Sequence, residues 1–521
     1  MAALAAVPAS DTPEGYVAAA RRVHAASDLG AGQATPAQVA RLGAAQWVGR
    51  EGGSYVSVAP SVSYSITVRL EVPSRGRAVS ELTHVVEQSG GAVTALDVTP
   101  LGQERLRVDV TCAARDTEHA EAIVQALSTI AGVTLSKVSD RTFLLHLGGK
   151  IETAVKVPLR NRDDLSMAYT PGVARVSMAI AGNPEDVRRL TIKRNSVAVV
   201  TDGSAVLGLG NIGPYAALPV MEGKAALFKR FAGIDAWPVC LDTQDTDEIV
   251  RTVQVIAPAF GGINLEDISA PRCFDVERRL RDLLDIPVFH DDQHGTAIVV
   301  LAALTNALRV VGKKLGTVRI AMSGAGAAGT AVLRLLIASG ASDVVVCDEK
   351  GAVYPGRPGL DDSLRWVAEH TNAAGYDGDL AGALRGADVF IGLSAPHILR
   401  GADVSAMNDD AIVFALANPD PEVDPDEAAE YAAVVATGRS DYPNQINNVL
   451  AFPGVFRGLL DAQSRTVTDD MLVAAARALA GVVSPAELGP HYIIPSVFNP
   501  NVTAAVAAAV RDAAVAARGS N

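Results

Sequence analysis

The sequence predicts an α/β protein with doubly wound parallel sheets, preceded by a smaller unit of four strands and two helices. Two patterns predict this fold class. Residues 62–148 contain strand-like and helix-like segments in the order βαββαβ, and the residues after 150 alternate strands with helices around turns rich in Gly and Pro. The alternating order is typical of a mostly parallel sheet with helices on both faces.

The composition is that of a large, acidic globular protein. The chain has 521 residues, with 45 Lys and Arg against 58 Asp and Glu, which gives a formal net charge of −13. At roughly 150 residues per domain, this length predicts about three domains. Nucleic-acid binders usually have a basic face, so the charge argues against a nucleic-acid partner. The four scattered cysteines suit neither a disulfide framework nor a Cys-x-x-Cys metal site, which favours a reducing compartment.

No segment has the pattern of a membrane span or a secretory signal. The most apolar stretch, 296–311, is interrupted by Thr305, Asn306 and Arg309. A membrane span needs roughly 18 unbroken apolar residues, so this stretch predicts a buried helix instead. The N-terminus lacks the basic region of a secretory signal. We therefore expect a cytoplasmic protein without a membrane contact.

The N-terminal part predicts an extension followed by a ferredoxin-like domain. Residues 1–61 carry no recognisable chemistry, and we expect them to be partly disordered or helical, with a short helix at 16–26. The βαββαβ order of 62–148 is that of the ferredoxin-like fold. Its strands are predicted at 65–72, 93–98, 105–111 and 133–138, and its helices at 78–89 and 117–131.

The stretch 62–148 resembles an ACT domain, a module that binds an amino acid or a similar metabolite and regulates an attached enzyme. The resemblance rests on the element order and on the turn Pro73-Ser-Arg-Gly76 before the first helix. It implies a small-metabolite effector that binds near this turn, at a contact between two copies. A packing or dimerisation module without a ligand is the alternative, because ferredoxin-like folds have many functions.

A glycine-rich turn joins the predicted strand 318–323 to the predicted helix 330–339. It has the spacing G-x-G-x-x-G in the strand–turn–helix setting of a Rossmann-type dinucleotide domain. The first Gly permits the tight turn, the second lets the pyrophosphate approach, and the third lets helix and strand pack closely. The cofactor contacts predicted here are Gly324, Gly326, Ala327, Ala328 and Gly329.

Asp348 predicts which dinucleotide this turn binds. It ends the next strand, 348 − 324 = 24 positions after the first Gly. A carboxylate at this place accepts hydrogen bonds from the adenosine ribose and repels a 2′-phosphate, which favours NAD. Lys350 nearby keeps NADP as the alternative. Ser394 and Asn418 follow two later strands and are predicted ribose and nicotinamide contacts. A helix N-cap is the alternative for each, and Ser394 is equally suited to both roles.

Two acidic pairs follow predicted strands in the segment 160–300. They are Glu266-Asp267 and Asp291-Asp292. Four carboxylates are costly to bring together without a cation, and oxygen donors suit Mg²⁺ or Mn²⁺ better than zinc. Two histidines beside the second pair keep zinc open, and a solvated acidic rim is the other alternative.

Two further residues have the chemistry of a base and an acid. Lys224 lies in an apolar, Gly-rich setting. Desolvation and a nearby metal would lower its pKa and leave it neutral near pH 7. Tyr169 stands just before a Pro-Gly turn, a rigid placement for a phenol used as an acid. A surface Lys and a packed Tyr are the alternatives.

These residues occur in ordered blocks that resemble the signature blocks of bacterial malic enzymes. The resemblance extends from about 150 to the C-terminus, and it implies a substrate and metal domain at 149–312 and an NAD domain with C-terminal helices at 313–521. The blocks are Tyr169-Thr-Pro-Gly-Val-Ala, Thr201-Asp-Gly, Gly208-Leu-Gly, Glu222-Gly-Lys, Glu266-Asp, His290-Asp-Asp-Gln-His-Gly-Thr-Ala, Ala417-Asn-Pro and Tyr442-Pro-Asn-Gln-Ile-Asn-Asn.

The resemblance implies roles for individual residues. Tyr169 would be the general acid and Lys224 the general base, with Asp291 orienting Lys224 or a metal ligand. The implied metal ligands are Glu266, Asp267 and Asp292, and the implied substrate and nicotinamide contacts are Asn418 and Asn448. Animal-type enzymes carry an Arg just after the Thr-Asp-Gly block, where this chain has Ser204-Ala205. The group that binds the distal substrate carboxylate therefore stays open.

The implied activity is the oxidative decarboxylation of L-malate to pyruvate and CO₂, with reduction of NAD and dependence on Mg²⁺ or Mn²⁺. A homodimer or a larger homo-oligomer is expected, regulated through the ACT-like domain. The alternatives are an NADP-preferring malic enzyme, a 2-hydroxyacid or tartrate-type dehydrogenase, and a metabolite-sensing protein with an inactive enzyme half. The complete set of implied catalytic residues argues against the last.

Overall fold

The computed structural model describes residues 60–75, 77–206 and 208–519, which divide into two compact units between Lys150 and Ile151. The helix predicted at 16–26 lies outside the described residues, as does nearly all of the predicted extension. Gly76, the last residue of the predicted effector turn, also lies outside them.

The first unit is a four-stranded antiparallel sheet with the strand order β2-β3-β1-β4. Its elements are β1 (Ser61–Pro73), α1 (Ala78–Gln88), β2 (Ala92–Leu101), β3 (Arg105–Ala114), α2 (Thr117–Ser128), β4 (Thr134–Asp140) and α3 (Arg141–His146). The predicted βαββαβ order is observed, and the strands are longer than predicted. Alternate residues of β1, such as Val68 and Leu70, are fully buried and pack with Leu82 of α1 and Ile123 of α2. One face of the sheet is therefore covered by the two helices.

The second unit begins with short helices and a four-stranded parallel sheet of order β6-β5-β7-β8. The elements up to this sheet's last helix are α4 (Arg162–Ala168), α5 (Val173–Gly182), α6 (Asp186–Leu190), β5 (Ser196–Thr201), α7 (Gly213–Ala232), β6 (Asp235–Cys240), α8 (Thr246–Ile256), β7 (Gly262–Leu265), α9 (Arg272–Leu283), β8 (Val288–His290) and α10 (Thr296–Val311). Buried side chains of β5 and β7 pack with those of α8 and α9.

The rest of the second unit is built on a six-stranded sheet of order β11-β10-β9-β12-β13-β14. Its elements are β9 (Arg319–Ser323), α11 (Ala327–Ala338), β10 (Asp343–Asp348), β11 (Gly351–Ala352), α12 (Asp362–His370), α13 (Leu380–Leu384), β12 (Val389–Gly392), α14 (Gly401–Val404), β13 (Ala411–Ala415), α15 (Pro425–Ala429), β14 (Ala432–Thr437), α16 (Phe452–Asp461), α17 (Asp469–Val482) and α18 (Asn501–Gly519). All pairs are parallel except the edge hairpin of β10 and β11. The strand order reverses between β9 and β12, where such sheets bind their ligands. The predicted Rossmann-type sheet is therefore observed.

Helix α10 has the predicted bounds and forms part of the main hydrophobic core. With the turn before it, residues 291–311 make the one helix in the described ranges that is long and apolar enough to cross a membrane. In its most apolar window, 67% of the residues are buried inside the fold. The helix packs against α11 and α17 instead. It is a core helix, as the sequence predicted.

Candidate active site

Strands β7 and β8 lie side by side and end at the same edge of their sheet, which brings the two acidic pairs together. Glu266-Asp267 follows β7 and Asp291-Asp292 follows β8. One carboxylate oxygen each from Glu266, Asp267 and Asp292 lies within 4.8 Å of the others. The backbone N–H of Asp267 donates to Asp292 Oδ2 at 2.9 Å. The three predicted metal ligands thus form one cluster, and Asp291 lies beside it.

Burial and mutual repulsion raise the pKa of the carboxyl groups in this cluster. Burial, then the charges of Asp292 and Glu266, raise the pKa of Asp267 to about 9. Burial also raises the pKa of Glu266 and Asp292, although Lys224 opposes it in both. Asp267 Oδ2 is buried and accepts no hydrogen bond from the described residues. A hard divalent cation fits these oxygen donors, because it would relieve the repulsion and occupy the vacant acceptor.

Of the two histidines beside the second acidic pair, His294 contacts Glu277, and neither ring nitrogen of His290 has a hydrogen-bond partner among the described residues. His294 Nε2 lies 2.8 Å from Glu277 Oε1. Burial would raise the pKa of Glu277, but His294 and Arg281 lower it to about 2. His290 is fully buried, which lowers its pKa to about 4. Within the described ranges, the cluster of potential metal-ligating atoms contains carboxylates alone. The donor set therefore favours Mg²⁺ or Mn²⁺ over the zinc that the sequence left open.

Lys224, on α7, lies between two of the carboxylates. Its Nζ is 2.5 Å from Asp291 Oδ2 and 2.7 Å from Glu266 Oε1, and the side chain is almost fully buried. The ammonium group also lies 4.3 Å from the centre of the Phe452 ring. Burial lowers the pKa of Lys224, but the two carboxylates more than reverse this, so the pKa is raised. The predicted lowering is wrong for this arrangement, because burial was inferred from the sequence and the two ion pairs were not.

Gly295 leaves the space that the Asp291 carboxylate occupies. A Cβ at this position would lie 1.9 Å from Asp291 Oδ1 and 3.2 Å from the Cβ of Asn448. The π-helical turn Asp291–Gly295, which joins β8 to α10, makes this close approach. Asn448 therefore lies close to the Asp291 carboxylate that pairs with Lys224. The family resemblance implied a substrate contact for Asn448.

Replacing Gly295 by Ala should lower kcat/KM by roughly 10²-fold, since a misplacement of about 1 Å in an active site costs that much. The added methyl group would push Asp291 away from Lys224. Gly481→Ala is the matched control, because a Cβ at that helical glycine would meet no other part of the described chain within 4 Å. Steady-state kinetics of both variants check the prediction, and equal activity of the two would contradict the role of the Asp291 position.

Tyr169 has a different environment from the other predicted catalytic residues. It follows α4, and the residue is 68% exposed. In the described part of the chain, Lys224 has its polar contacts with Asp291 and Glu266 and none with Tyr169. The exposed apolar side chains that flank Tyr169 on α4 and α5 are Leu165, Met167, Val173, Val176 and Met178. Tyr169 thus lies on an exposed apolar surface.

The glycine-rich turn has the geometry that its spacing predicts. Gly324 has φ of 99°, and a Cβ on it would lie 2.4 Å from the carbonyl oxygen of Leu393. A Cβ on Gly329 would lie 2.0 Å from the carbonyl oxygen of Gly324, whereas one on Gly326 would meet none of the described residues within 4 Å. No side chain caps the start of α11 at Ala327. Its first N–H groups and the open side of Gly326 suit a pyrophosphate.

Glu422 holds the two loops that carry Ser394 and Asn418. It is fully buried, and its carboxylate accepts hydrogen bonds from the backbone N–H groups of Ser394 and Ala417, both at 2.9 Å. Burial raises the pKa of Glu422. Ser394 Oγ lies 2.5 Å from Ser323 Oγ at the end of β9. No helix begins at Ser394 in the described chain, so the N-cap alternative is wrong. Glu422 was missed because nothing in its local sequence distinguishes it from a surface carboxylate.

Asp348 ends β10, and Arg357 holds both of its carboxylate oxygens. Arg357 Nη1 donates to Asp348 Oδ1 at 2.9 Å, and Nη2 donates to Oδ2. The backbone N–H of Lys350 donates to Oδ1 at 2.8 Å. Sequence reasoning found Asp348 by its distance from Gly324 and missed Arg357, because a lone Arg in a loop carries no spacing signal.

Two family models match the second unit. The malic enzyme N-terminal domain matches residues 148–281, and the malic enzyme NAD-binding domain matches residues 293–515. Among solved structures, the NAD-dependent malic enzyme of Thermotoga maritima is 48% identical, with a TM-score of 0.69, and the match covers 72% of this chain and 99% of that one.

Two curated relatives are both 54% identical to the chain. The NAD-dependent malic enzyme of Geobacillus stearothermophilus aligns over 450 residues, which is 86% of this chain and 94% of the relative. The bifunctional malic/malolactic enzyme of Bacillus subtilis aligns over 73% of this chain and 94% of its own length. The first alignment is longer than the second unit and therefore extends into the first unit.

Proposed function

The chain belongs to the malic enzyme family, and on that premise we propose that it oxidises and decarboxylates L-malate to pyruvate and CO₂ with reduction of NAD. The observation that carries this proposal is the buried Lys224, ion-paired to Asp291 and Glu266 at the edge of a cluster of three metal-ligating carboxylates. A base, a cation site and a dinucleotide turn are three of the parts that this reaction needs.

Lys224 takes the proton from the C2 hydroxyl of malate as C2 passes its hydride to the nicotinamide. Asp291 fixes the position of Nζ through their 2.5 Å contact. Glu266, Asp267 and Asp292 would hold Mg²⁺ or Mn²⁺, which acidifies a bound hydroxyl and stabilises the enolate left by CO₂. When Glu266 shares its charge with the cation, one cause of the raised pKa of Lys224 is weakened, which favours the neutral base. Asn448, which lies close to the Asp291 carboxylate, orients the substrate.

The six-stranded sheet positions the cofactor. The turn 324–329 and the start of α11 bind the pyrophosphate, and Asp348 accepts a hydrogen bond from the adenosine ribose. Ser394 and Asn418 follow β12 and β13 and face the nicotinamide half. A Cβ on Gly208 would lie 2.8 Å from the carbonyl oxygen of Asn418. The loop after β5, which contains Gly208, therefore packs against the six-stranded sheet at this point. Substrate and nicotinamide therefore meet between the four-stranded parallel sheet and the six-stranded sheet of the second unit.

Tyr169 is the acid that protonates C3 of the enolate, and we place it in the site of a second copy of the chain. An acid must reach the substrate carbon, yet Tyr169 is 68% exposed and has no polar contact with Lys224 among the described residues. The apolar side chains around it, including Met167 and Met178, would be covered by the same contact. The functional unit is then a homodimer, or a larger assembly of such dimers.

The formation of NADH with malate and Mn²⁺, followed at 340 nm, tests the proposed function. Equimolar pyruvate must appear, which separates this reaction from a plain 2-hydroxyacid or tartrate-type dehydrogenase. The same assay with NADP tests the alternative cofactor. No reduction of either cofactor would contradict the enzyme proposal and favour a metabolite-sensing protein.

Metal binding should release protons, and it should stabilise the fold more strongly at pH 8 than at pH 6. The folded-state pKa of Asp267, about 9, is far above the ordinary value of an aspartate. Its stabilising contribution is therefore complete below about pH 4 and is lost as pH rises toward 9, while the cation competes with the proton for the carboxylate. At 100-fold excess over its Kd, the ion should add about 2.7 kcal/mol.

Calorimetric titration with Mn²⁺ in buffers of different ionisation enthalpy measures the released protons. Thermal unfolding with and without Mn²⁺ at the two pH values measures the stabilisation. Asp267→Asn should bind the ion more weakly and release fewer protons. Proton-independent binding by the natural chain would contradict this assignment.

The first unit, with its ferredoxin-like topology, regulates the enzyme by binding a small metabolite near 73–76. Typical coupling energies predict that such an effector changes substrate affinity by about 5- to 150-fold. A chain lacking residues 1–148 should lose that response and keep the catalytic residues. Screening amino acids and small carboxylic acids against both chains checks it. If the full chain and the shortened chain have identical kinetics and identical responses to the effectors, the first unit has only a structural role.

A further inference from the structure

We propose that Arg357 sets the cofactor preference together with Asp348, and that its guanidinium is a masked binding site for the 2′-phosphate of NADP. This inference rests on the proposed dinucleotide site and names the group that determines its specificity. Asp348 alone would reject a 2′-phosphate by repulsion. Because Asp348 is paired with Arg357, the rejection of the 2′-phosphate depends on both residues, which carry opposite charges.

Arg357 is fixed at the end of β10. Its side chain is 9% exposed, and that of Asp348 is 16% exposed. Besides its two bonds to Asp348, Nη1 lies 3.2 Å from the carbonyl oxygens of both Gly351 and Ala352. Its Nε is buried and has no acceptor in the described chain. The guanidinium therefore has a defined position that does not depend on Asp348 alone.

This position borders the place of the adenosine ribose. The backbone N–H of Gly324, the first glycine of the turn, donates to the carbonyl oxygen of Cys347 at 2.9 Å. Asp348 is the next residue and ends the strand beside β9. In sheets of this kind the acidic residue at the end of the second strand faces the ribose 2′-hydroxyl, and an Arg nearby accommodates the 2′-phosphate. This chain has both groups at that place, paired with each other.

The pairing changes the charge that a cofactor meets. A carboxylate has about four acceptor positions, and Arg357 and the backbone of Lys350 occupy three of them, which leaves one for a ribose hydroxyl. The pair has no net charge, so NAD is favoured by that hydrogen bond and NADP is rejected because the guanidinium is occupied. Without the carboxylate, a planar fork of N–H donors would face the 2′ position, and this geometry matches phosphate.

Binding of adenosine 2′,5′-bisphosphate to the full chain, measured by isothermal titration calorimetry, tests the proposal without metal or malate. Asp348→Ser should bind it about 10- to 100-fold more tightly than the natural chain, and it should bind adenosine 5′-monophosphate more weakly because the ribose hydroxyl loses its carboxylate acceptor. The double variant Asp348→Ser with Arg357→Gln should lose this gain. Asp362→Ser is the matched control, because it removes an equal charge from a side chain that is 99% exposed.

Other outcomes overturn the proposal. If the double variant keeps the gain, another group such as Lys350 holds the phosphate. If Asp348→Ser gives no gain, the masked site does not exist. Arg357→Lys in the Asp348→Ser background keeps the charge and should keep part of the gain, and thermal unfolding of each variant identifies one that fails to fold. The ratio of kcat/KM for NADP to that for NAD should rise in Asp348→Ser. The expected binding pattern without malate turnover would contradict the proposed function instead.

Discussion

Replacing Lys224 by Ala should lower kcat for malate oxidation by about 10²- to 10⁴-fold, the usual contribution of a positioned base. The side chain is the one cation in contact with Asp291 and Glu266 among the described residues, and its Nζ lies 2.5 Å and 2.7 Å from them. Removing it deletes the proton acceptor. It also leaves the buried carboxylates of Asp291 and Glu266 without the cation that offsets their mutual repulsion. Steady-state kinetics with malate, Mn²⁺ and NAD measure the loss.

Two comparisons separate the chemical role of Lys224 from a structural one. Lys229→Ala changes a lysine on the same helix that pairs with Asp235 at the surface, with its side chain 61% exposed. It should keep nearly full activity. Small primary amines added to Lys224→Ala should restore part of kcat, with a pH dependence that follows the amine's own pKa. Survival of most activity in Lys224→Ala, or a loss that no amine reverses in a chain that still folds and binds NADH, would contradict the role as base.

Local sequence was sufficient for the parts of this site that depend on the ends of single strands. The glycines at 324–329 predict a turn because a Cβ at two of them would overlap the backbone, and that requirement is met within one strand–helix connection. The pairs Glu266-Asp267 and Asp291-Asp292 follow adjacent parallel strands, so their meeting follows from the sheet order alone. The βαββαβ order of the first unit was also predictable from local sequence, because each strand and helix has its own hydrophobic periodicity.

The parts that escaped prediction are contacts between side chains far apart in the chain. The environment of Lys224 is set by Asp291, 67 residues later, so burial predicted a lowered pKa where the ion pairs raise it. Glu422 and Arg357 have roles that only their partners reveal. In each case the deciding quantity is a distance between two charges, which neither periodicity nor spacing encodes.

Mixed dimers can test whether the exposed Tyr169 acts in the site of the partner copy. Tyr169→Phe should lower kcat by about 10²- to 10⁴-fold, as expected for the loss of a general acid. If Tyr169 acts in the partner's site, each site combines Lys224 of one copy with Tyr169 of the other. A dimer of one Lys224→Ala chain and one Tyr169→Phe chain then contains one intact site and one doubly defective site.

Such mixed dimers, isolated with two different affinity tags, should have about half of the natural activity although either parent dimer is nearly inactive. A mixed dimer of Lys224→Ala and Asp291→Asn is the matched control, because these two residues are in contact within one chain and both sites stay defective. Recovery in the first mixture and none in the second would follow only if the acid crosses between copies. No recovery in either would place Tyr169 and Lys224 in the same chain's site, and α4 and α5 would then have to fold over that site when substrate binds.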